Sequence, residues 1–218
     1  MPASLARPAV GTSGWSYPSW RPAFYPAGSP PESLLGLYAA QLPAVELDST
    51  GYRLPSHEQF GRWAAQAPPD FRFAVKMPPQ ALRQLGAFQD RVRFLGSALG
   101  CVRVVVEARR NDGLLALLLD LADPAIRFAL DLRDPSWDGV EPQLAAAGAV
   151  RVGDWDAAGD WRYLRFRETP YDDTALVVLA DRLRPLISAG VDVFAFFRHE
   201  AEPTAPAYAL RLLELLER

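Results

Sequence analysis

Charged side chains stand two residues apart at the ends of several short apolar segments. These pairs are Glu46 and Asp48, Asp131 and Arg133, and Arg165 and Arg167. In a strand, residues at this spacing lie on one face, so each pair can reach the same cavity. Carboxylates there can transfer protons, and the guanidinium groups can clamp a planar anion. The pattern predicts acid–base chemistry on an anionic ligand, with Glu46 and Asp131 as catalytic carboxylates and Arg133 and Arg165 as substrate-binding residues.

Lys76 is the single lysine among 23 basic residues, and it ends the apolar segment Phe71–Lys76. A compact ammonium group can lose its proton, which a guanidinium cannot do. Lys76 is therefore a candidate base, Schiff-base former or phosphate ligand, and we place it in the catalytic set. The alternative is a lysine whose stem lies on apolar surface while its charge stays in water.

Each carboxylate also has a purely structural interpretation. Glu46 follows an apolar residue and could form a buried ion pair with an arginine such as Arg133, which would stabilise the fold without reacting. Asp131 and Arg133 could simply pair with each other. The sequence leaves both alternatives open.

Aromatic residues fall in segments that read as loops, close to the charged candidates. Trp15, Tyr52 and Trp137 are the predicted ligand contacts, because bases or sugar rings stack on such side chains. The competing interpretation is a packed lid of aromatic and proline residues.

No cofactor is predicted. A divalent metal is a minor alternative, for which the available ligands would be Glu46, Asp48, Asp131, Asp154 and His199. Carboxylates without a recognisable spacing of histidines are weak evidence for such a site.

Composition limits the function classes further. The 218 residues carry a formal net charge of -3, which argues against a protein that coats nucleic acid non-specifically. No apolar run is long enough to span a membrane, and Met1–Val10 lacks a signal-peptide core. We therefore expect a cytoplasmic protein without a membrane partner, and its oligomeric state stays open.

The elements that must position these side chains alternate regularly. Eight short apolar strand candidates are separated by seven helix-like stretches, one of which spans residues 89–99. The strand candidates span residues 9–12, 44–47, 71–76, 102–106, 126–131, 149–152, 163–166 and 191–197. The segment Gly153–Asp160, between strands six and seven, is too short for a full helix. This alternation predicts one α/β domain over residues 1–218, a (β/α)8 TIM-like barrel of parallel strands that lacks one helix. An open doubly wound sheet is the alternative, but no Gly-x-Gly-x-x-Gly turn follows the first strand.

Several segments, in order along most of the chain, resemble the domain of unknown function 72 family, also called YecE-like. They are Gly11–Tyr17 with Phe24–Pro26, Val45–Ser56, Phe71–Lys76, Leu132–Trp137 and Ala205–Leu213. The resemblance implies a TIM-like barrel, in agreement with the alternation of elements. It implies no reaction, because the activity of the family is not established.

The chain departs from the family pattern at several places. Asp48 replaces a common Asn, Asp134 replaces a His, Arg167 and Glu168 replace His-Gly, and Phe197–Glu200, which includes His199, replaces an Asn-rich turn. The loss of two expected histidines weakens any transfer of histidine-based chemistry.

Two functions are therefore predicted. The first is an enzyme of hydrolase or lyase type whose Lys, Arg and carboxylate pocket, at the carboxyl ends of the strands, takes a phosphate- or carboxylate-bearing substrate. The second is a non-catalytic module that binds an anionic ligand or single-stranded nucleic acid in the same pocket.

Overall fold

The computed structural model describes residue 5, residues 7–199 and residues 202–218. The N-terminal segment Met1–Val10 and the turn Phe197–Glu200 therefore fall partly outside the described residues. The eight predicted strands are all present, with boundaries that differ by at most a few residues. They are β1 Ala9–Ser13, β2 Ala44–Leu47, β3 Arg72–Lys76, β4 Leu99–Val106, β5 Phe128–Leu132, β6 Val150–Arg151, β7 Trp161–Phe166 and β8 Asp192–Phe197.

The strands form one parallel sheet in the order β6-β5-β4-β3-β2-β1-β8-β7. The sheet curves so that its two edge strands, β6 and β7, lie next to each other, which confirms the predicted barrel. Among the described residues, no ladder joins the two-residue β6 to β7. Beyond β6, a hydrogen bond of 2.8 Å from the Gly153 amide to the Tyr163 carbonyl joins this edge, so the barrel is nearly closed.

Seven α-helices surround the strands in the part of the chain that the structure describes. They are α1 Leu34–Ala39, α2 His57–Gln66, α3 Leu85–Val92, α4 Asp112–Leu121, α5 Glu141–Ala146, α6 Asp173–Ser188 and α7 Thr204–Leu216. Each follows a strand, as right-handed β-α-β connections require. The connection from β6 to β7 has no α-helix among the described residues, as predicted.

One predicted helix has the wrong boundaries. The sequence pattern placed it at residues 89–99, whereas α3 ends at Val92 and a 3-10 segment follows over Arg93–Ala98. Gly96 in that segment has a φ of 56°, a left-handed conformation that interrupts a right-handed helix and favours glycine.

The inside of the barrel is packed by residues of very different size. Strands β1 to β5 contribute small side chains, which are Ala9, Ala44, Ala74, Cys101 and Ala129. Strands β7 and β8 contribute the rings of Trp161, Tyr163, Phe194 and Phe196. A second, larger core fills the space between the strands and the helices. These two cores hold the strands rigidly, so the side chains at their carboxyl ends have fixed positions.

None of the helices in the described part of the chain is both long enough and apolar enough to cross a membrane.

Two glycines provide a matched test of strand packing. A Cβ atom on Gly11 in β1 would lie 1.8 Å from the Ala44 carbonyl oxygen, whereas one on Gly36 in α1 would meet nothing within 4 Å. We predict that Gly11→Ala lowers the free energy of unfolding by about 3 kcal/mol, because backbone atoms must move. Gly36→Ala should raise it by about 0.5–1 kcal/mol. Chemical denaturation measures both, and equal stabilities of the two variants would contradict this packing.

Candidate functional site

Arg103 of β4 lies at the centre of a cluster of charged side chains at the carboxyl ends of the strands. Its guanidinium group donates to the Asp131 carboxylate through Nε, at 3.0 Å, and through Nη2. Its Nη1 donates to Glu46 Oε2 and Asp48 Oδ1, each at 3.3 Å. The side chain is only 1% exposed. Burial opposes its charge, but Glu46 and Asp131 hold the pKa of Arg103 above its usual value.

Arg103 is not among the site residues predicted from the sequence. Those candidates stand at the ends of apolar segments, whereas Arg103 stands in the middle of β4, where it is flanked by Val102 and Val104. A single arginine inside a run of apolar residues is itself a signal, because a buried charge requires a partner.

Glu46 of β2 is fully buried and its carboxylate is saturated with donors. Oε1 accepts from Ser13 Oγ at 2.9 Å and pairs with Arg165 Nη2 at 2.7 Å. Oε2 accepts from Arg103 and from the Tyr163 hydroxyl. Burial, and then Glu46 itself, raise the pKa of Tyr163 well above its usual value, so the phenol stays protonated and donates. The buried ion pair that the sequence allowed is present, but with Arg103 and Arg165 and not with Arg133.

Asp131 of β5 is shared by three arginines. Besides Arg103, it accepts from Arg133 Nε at 2.7 Å and Nη2 at 3.1 Å, and from Arg167 Nη2 at 3.1 Å. Burial opposes ionisation of the carboxyl, but Arg103 and Arg133 outweigh it and lower the pKa of Asp131. The group is therefore ionised at neutral pH.

Lys76 points towards the barrel mouth and pairs with Asp48, with 3.3 Å between Nζ and Oδ1. Both side chains are partly exposed, at 19% and 27%. Thr50 Oγ1 donates to the Lys76 carbonyl at 2.7 Å. A Cβ atom on Gly51 would lie 2.7 Å from Lys76 Cδ, so the turn packs closely against the aliphatic part of the lysine side chain. Burial opposes ionisation of Asp48, but Lys76, Arg165 and Arg103 lower its pKa overall.

The three aromatic candidates differ in their positions. Tyr52 lies against Lys76, 5.2 Å from Nζ to the ring centroid, and is 80% exposed. Trp15 is half-buried and packs edge-on against Trp63. Trp137 is buried in the core, and its indole donates to the Ala108 carbonyl at 2.8 Å. The structure therefore brings Tyr52 to the cluster but packs Trp15 and Trp137 against other residues.

The other residues that the sequence singled out pair with none of these charged side chains among the described residues. Asp134 and Asp154 each accept from a backbone amide two residues later, and His199 stacks on Tyr17 at 4.6 Å. Within the described ranges, no three His, Cys, Asp or Glu side chains meet in a way that could hold a metal ion.

The cluster as a whole is positively charged. It contains five cations and three carboxylates, which gives a net charge of two positive in a protein whose overall charge is negative. The cations are Lys76, Arg103, Arg133, Arg165 and Arg167, and the carboxylates are Glu46, Asp48 and Asp131. Such a local excess of positive charge attracts anions.

Fold and cluster together define a TIM-like barrel protein whose polar groups gather at the carboxyl ends of the strands, where barrel enzymes carry their active sites. A family model described as "Protein of unknown function DUF72" matches residues 9–218. The chain belongs to this family, as the resemblance of its segments implied.

Solved structures of family members share the fold. A DUF72 family protein from Thermotoga maritima MSB8 is 21% identical, has a TM-score of 0.80, and the match covers 97% of this chain and 100% of that one. One from Enterococcus faecalis V583 is 16% identical with a TM-score of 0.79, and the match covers 97% of this chain and 96% of that one. No match was found among curated proteins.

Arg103→Met tests whether this residue neutralises the buried carboxylates. We predict a loss of about 3–5 kcal/mol in the free energy of unfolding at pH 7, because the variant leaves buried carboxylates short of a partner. Asp48 and Asp131 have lowered pKa values in the folded state, so their contribution is present above their usual value of 3.8 and is lost as the pH falls through the lowered values. The difference from wild type should therefore shrink below about pH 4.

Denaturant titrations at pH 7 and pH 3 measure this difference. Arg62→Met is the matched control, because Arg62 is exposed and its side chain donates only to Gln59 among the described residues. An equal loss at both pH values would contradict the assignment.

Proposed function

We propose that the barrel mouth binds a phosphate or carboxylate group, and that the protein is an enzyme of hydrolase or lyase type acting on the ligand so held. The observation that carries this proposal is the sharing of Asp131 by three guanidinium groups. One carboxylate cannot neutralise three cations, so the mouth retains positive charge for a further anion.

Arg133 and Arg167 are the residues best placed to bind that anion. Their side chains are 39% and 35% exposed, whereas Arg103 is buried. Arg133 directs Nε and Nη2 to Asp131, and Arg167 directs Nη2 there. Within the described residues, Nη1 of both side chains and Nε of Arg167 have no hydrogen-bond acceptor. These donors can engage a phosphate or carboxylate in a charge-assisted manner.

Electrostatic repulsion within the mouth supports the same role. Burial and the neighbouring Arg165 lower the pKa of Arg167 below its usual value. A bound anion would relieve this repulsion, so binding gains free energy from charges that the fold already holds together.

Lys76 is the proposed proton-transfer group. Its side chain is 19% exposed and can meet a ligand, whereas Glu46 is enclosed by Ser13, Arg103, Tyr163 and Arg165. In this proposal Glu46 and Asp131 act as positioning residues that orient the arginines, which refines the catalytic role that the sequence suggested for them.

A non-catalytic binding module is the second candidate. The saturation of both Glu46 oxygens by donors favours it, because a carboxylate with four partners is poorly suited to exchange protons. The exposed ring of Tyr52 beside Lys76 would then offer a stacking surface for a base next to a bound phosphate.

Anion binding can be tested by calorimetry with inorganic phosphate, and with acetate as the carboxylate probe. We predict that Arg133→Ala and Arg167→Ala each weaken binding of the preferred anion by about tenfold or more, the usual value of a hydrogen bond to a charged group. Arg62→Ala, at an exposed site within α2 where the side chain donates to Gln59 and to no residue of the cluster, should leave the affinity unchanged. Unchanged affinity in both mouth variants would contradict the proposed anion site.

Lys76→Arg separates catalysis from binding. The variant retains a positive charge but has no group that can lose its proton at neutral pH, so we predict that phosphate affinity is retained within about threefold while turnover is lost. Turnover can be followed with chromogenic phosphate and carboxylate esters. Undiminished turnover in Lys76→Arg would rule out proton transfer by Lys76, and anion binding without turnover in the wild type would favour the binding module.

A further inference from the structure

Arg165 of β7 has hydrogen-bond donors that the charged cluster leaves unused. Its side chain is only 10% exposed, and its Nη2 lies 2.7 Å from Glu46 Oε1 and donates to Ser13 Oγ at 3.0 Å. Its Nε is buried without a partner, and its Nη1 has no acceptor within the described residues. A buried donor without an acceptor is unfavourable, because it has lost its hydrogen bond to water. A ligand that brings an oxygen to this guanidinium group would therefore gain free energy.

Arg165 lies deeper in the barrel mouth than the two arginines of the proposed anion site. It stands within β7, whereas Arg167 directly follows that strand. Arg167 and Arg133 are 35% and 39% exposed. Burial, and then the charge of Arg165, lower the pKa of Arg167, so the two guanidinium groups are near each other. An anion held by Arg133 and Arg167 would therefore also meet the positive charge of Arg165.

The charges of the cluster do not cancel, and the difference defines the charge of a matching ligand. Five cations against three carboxylates leave an excess of two positive charges. Burial opposes ionisation of Asp48 and Asp131, but the neighbouring cations outweigh it and lower the pKa of both carboxyls. Both oxygens of Glu46 accept from donors, as a carboxylate does. A ligand with two negative charges would neutralise the cluster, whereas a ligand with one would leave half of the excess.

The free donors of the mouth belong to three side chains. Arg133 has Nη1 free and Arg167 has Nε and Nη1 free, while Arg165 adds its own Nη1. A phosphate monoester presents three acceptor oxygens and nearly two negative charges at neutral pH. A carboxylate presents two oxygens and one charge. Both the number of donors and the excess of charge therefore favour the phosphate monoester.

We propose that the barrel mouth selects a phosphate monoester in its dianionic form, with Arg165 as the specificity-determining residue. The inference rests on the proposed function, since it names the anion that the same site takes. Arg133 and Arg167 alone would accept a carboxylate or a phosphate, and Arg165 supplies the charge and the donor that only the dianion can use fully. The contacts of Arg165 with Glu46 and Ser13 hold its guanidinium group in place before a ligand arrives.

Selection by charge can be tested with two probes of the same shape. Phenyl phosphate and phenyl sulfate both carry three terminal oxygens, but only the phosphate ester gains a second negative charge near neutral pH. We predict that calorimetry with the full chain gives phenyl phosphate an affinity about tenfold or more above that of phenyl sulfate. Benzoate, which has the same ring and a carboxylate, should bind no more tightly than phenyl sulfate. Equal affinities for the two esters would overturn the proposal.

The pH dependence of binding gives a second readout on the wild type. A phosphate monoester takes up its second proton with a pKa of about 6, so its affinity should fall about tenfold between about pH 7.5 and pH 5. Phenyl sulfate gains no proton in this range and reports any titration of the protein itself. The charged and titratable groups around Arg165 act on both probes alike, and they are Glu46, Asp48, Arg103, Tyr163 and Arg167. A parallel fall for both probes would overturn the proposal.

Two variants of Arg165 separate its charge from its donors. Arg165→Gln lowers the excess to one positive charge, so the preference for phenyl phosphate over phenyl sulfate should shrink about fivefold or more. Arg165→Lys keeps the charge beside Glu46 but removes Nε and Nη1, so both probes should bind about threefold or more weakly while the preference is retained. Arg62→Gln is the control, because Arg62 is exposed and donates to Gln59 and to no residue of the cluster.

An unchanged preference in Arg165→Gln, or unchanged affinities in Arg165→Lys, would overturn the role of Arg165. If Arg165→Gln does not fold, Arg165→Lys and the two comparisons on the wild type decide the proposal. Similar affinities for all three probes, still weakened by Arg133→Ala and Arg167→Ala, would overturn the selection and leave the proposed anion site intact. Absence of binding by every probe would overturn both.

Discussion

The contact on which the site depends is the guanidinium group of Arg103, which joins three carboxylates from two strands of the barrel. Glu46 and Asp48 come from β2 and its following turn, and Asp131 comes from β5. None of these charges could be buried without its partners, because removing an ion from water costs several kcal/mol or more. Arg103 is adjacent in register to Lys76 on one side and to Ala129 on the other, so its long side chain extends beside a small residue. The small side chain of Ala129 leaves room for Arg103, and the ion pairs of Arg103 allow the carboxylates around it to be buried.

This arrangement explains how a protein with a small negative net charge can present a positive pocket. Arg103 pairs with the carboxylates inside the barrel. The positive charges of the more exposed cations, Lys76, Arg133 and Arg167, are therefore only partly neutralised. Rigid strands hold these groups in place before a ligand arrives, which lowers the entropic cost of binding.

The sequence predicted the strands well because buried parallel strands appear as short apolar segments, as in Ala44–Leu47 and Asp192–Phe197. Helix α3 was misplaced because the interruption depends on the backbone conformation of Gly96, which the apolar periodicity does not reveal. The rule that functional groups collect at strand ends identified Lys76, Asp131 and Arg165, which the structure brings together. It could not identify Arg103 in the middle of β4, nor the partners of Glu46, since both depend on the register between strands. Trp137 lies in a segment that reads as a loop, but its ring is buried, because burial depends on contacts with residues distant in the sequence, such as Ala108.

Anion binding at the barrel mouth is tested most directly by a crystal soaked in tungstate, a heavy tetrahedral anion that can replace phosphate and is located by its anomalous scattering. We predict one strong peak at the barrel mouth, within hydrogen-bond distance of the guanidinium groups of Arg133 and Arg167, which is lost in the double variant Arg133→Ala with Arg167→Ala. A wild-type crystal with no peak at the mouth, or a peak there that survives the double variant, would contradict the claim that the excess positive charge around Asp131 forms an anion-binding site.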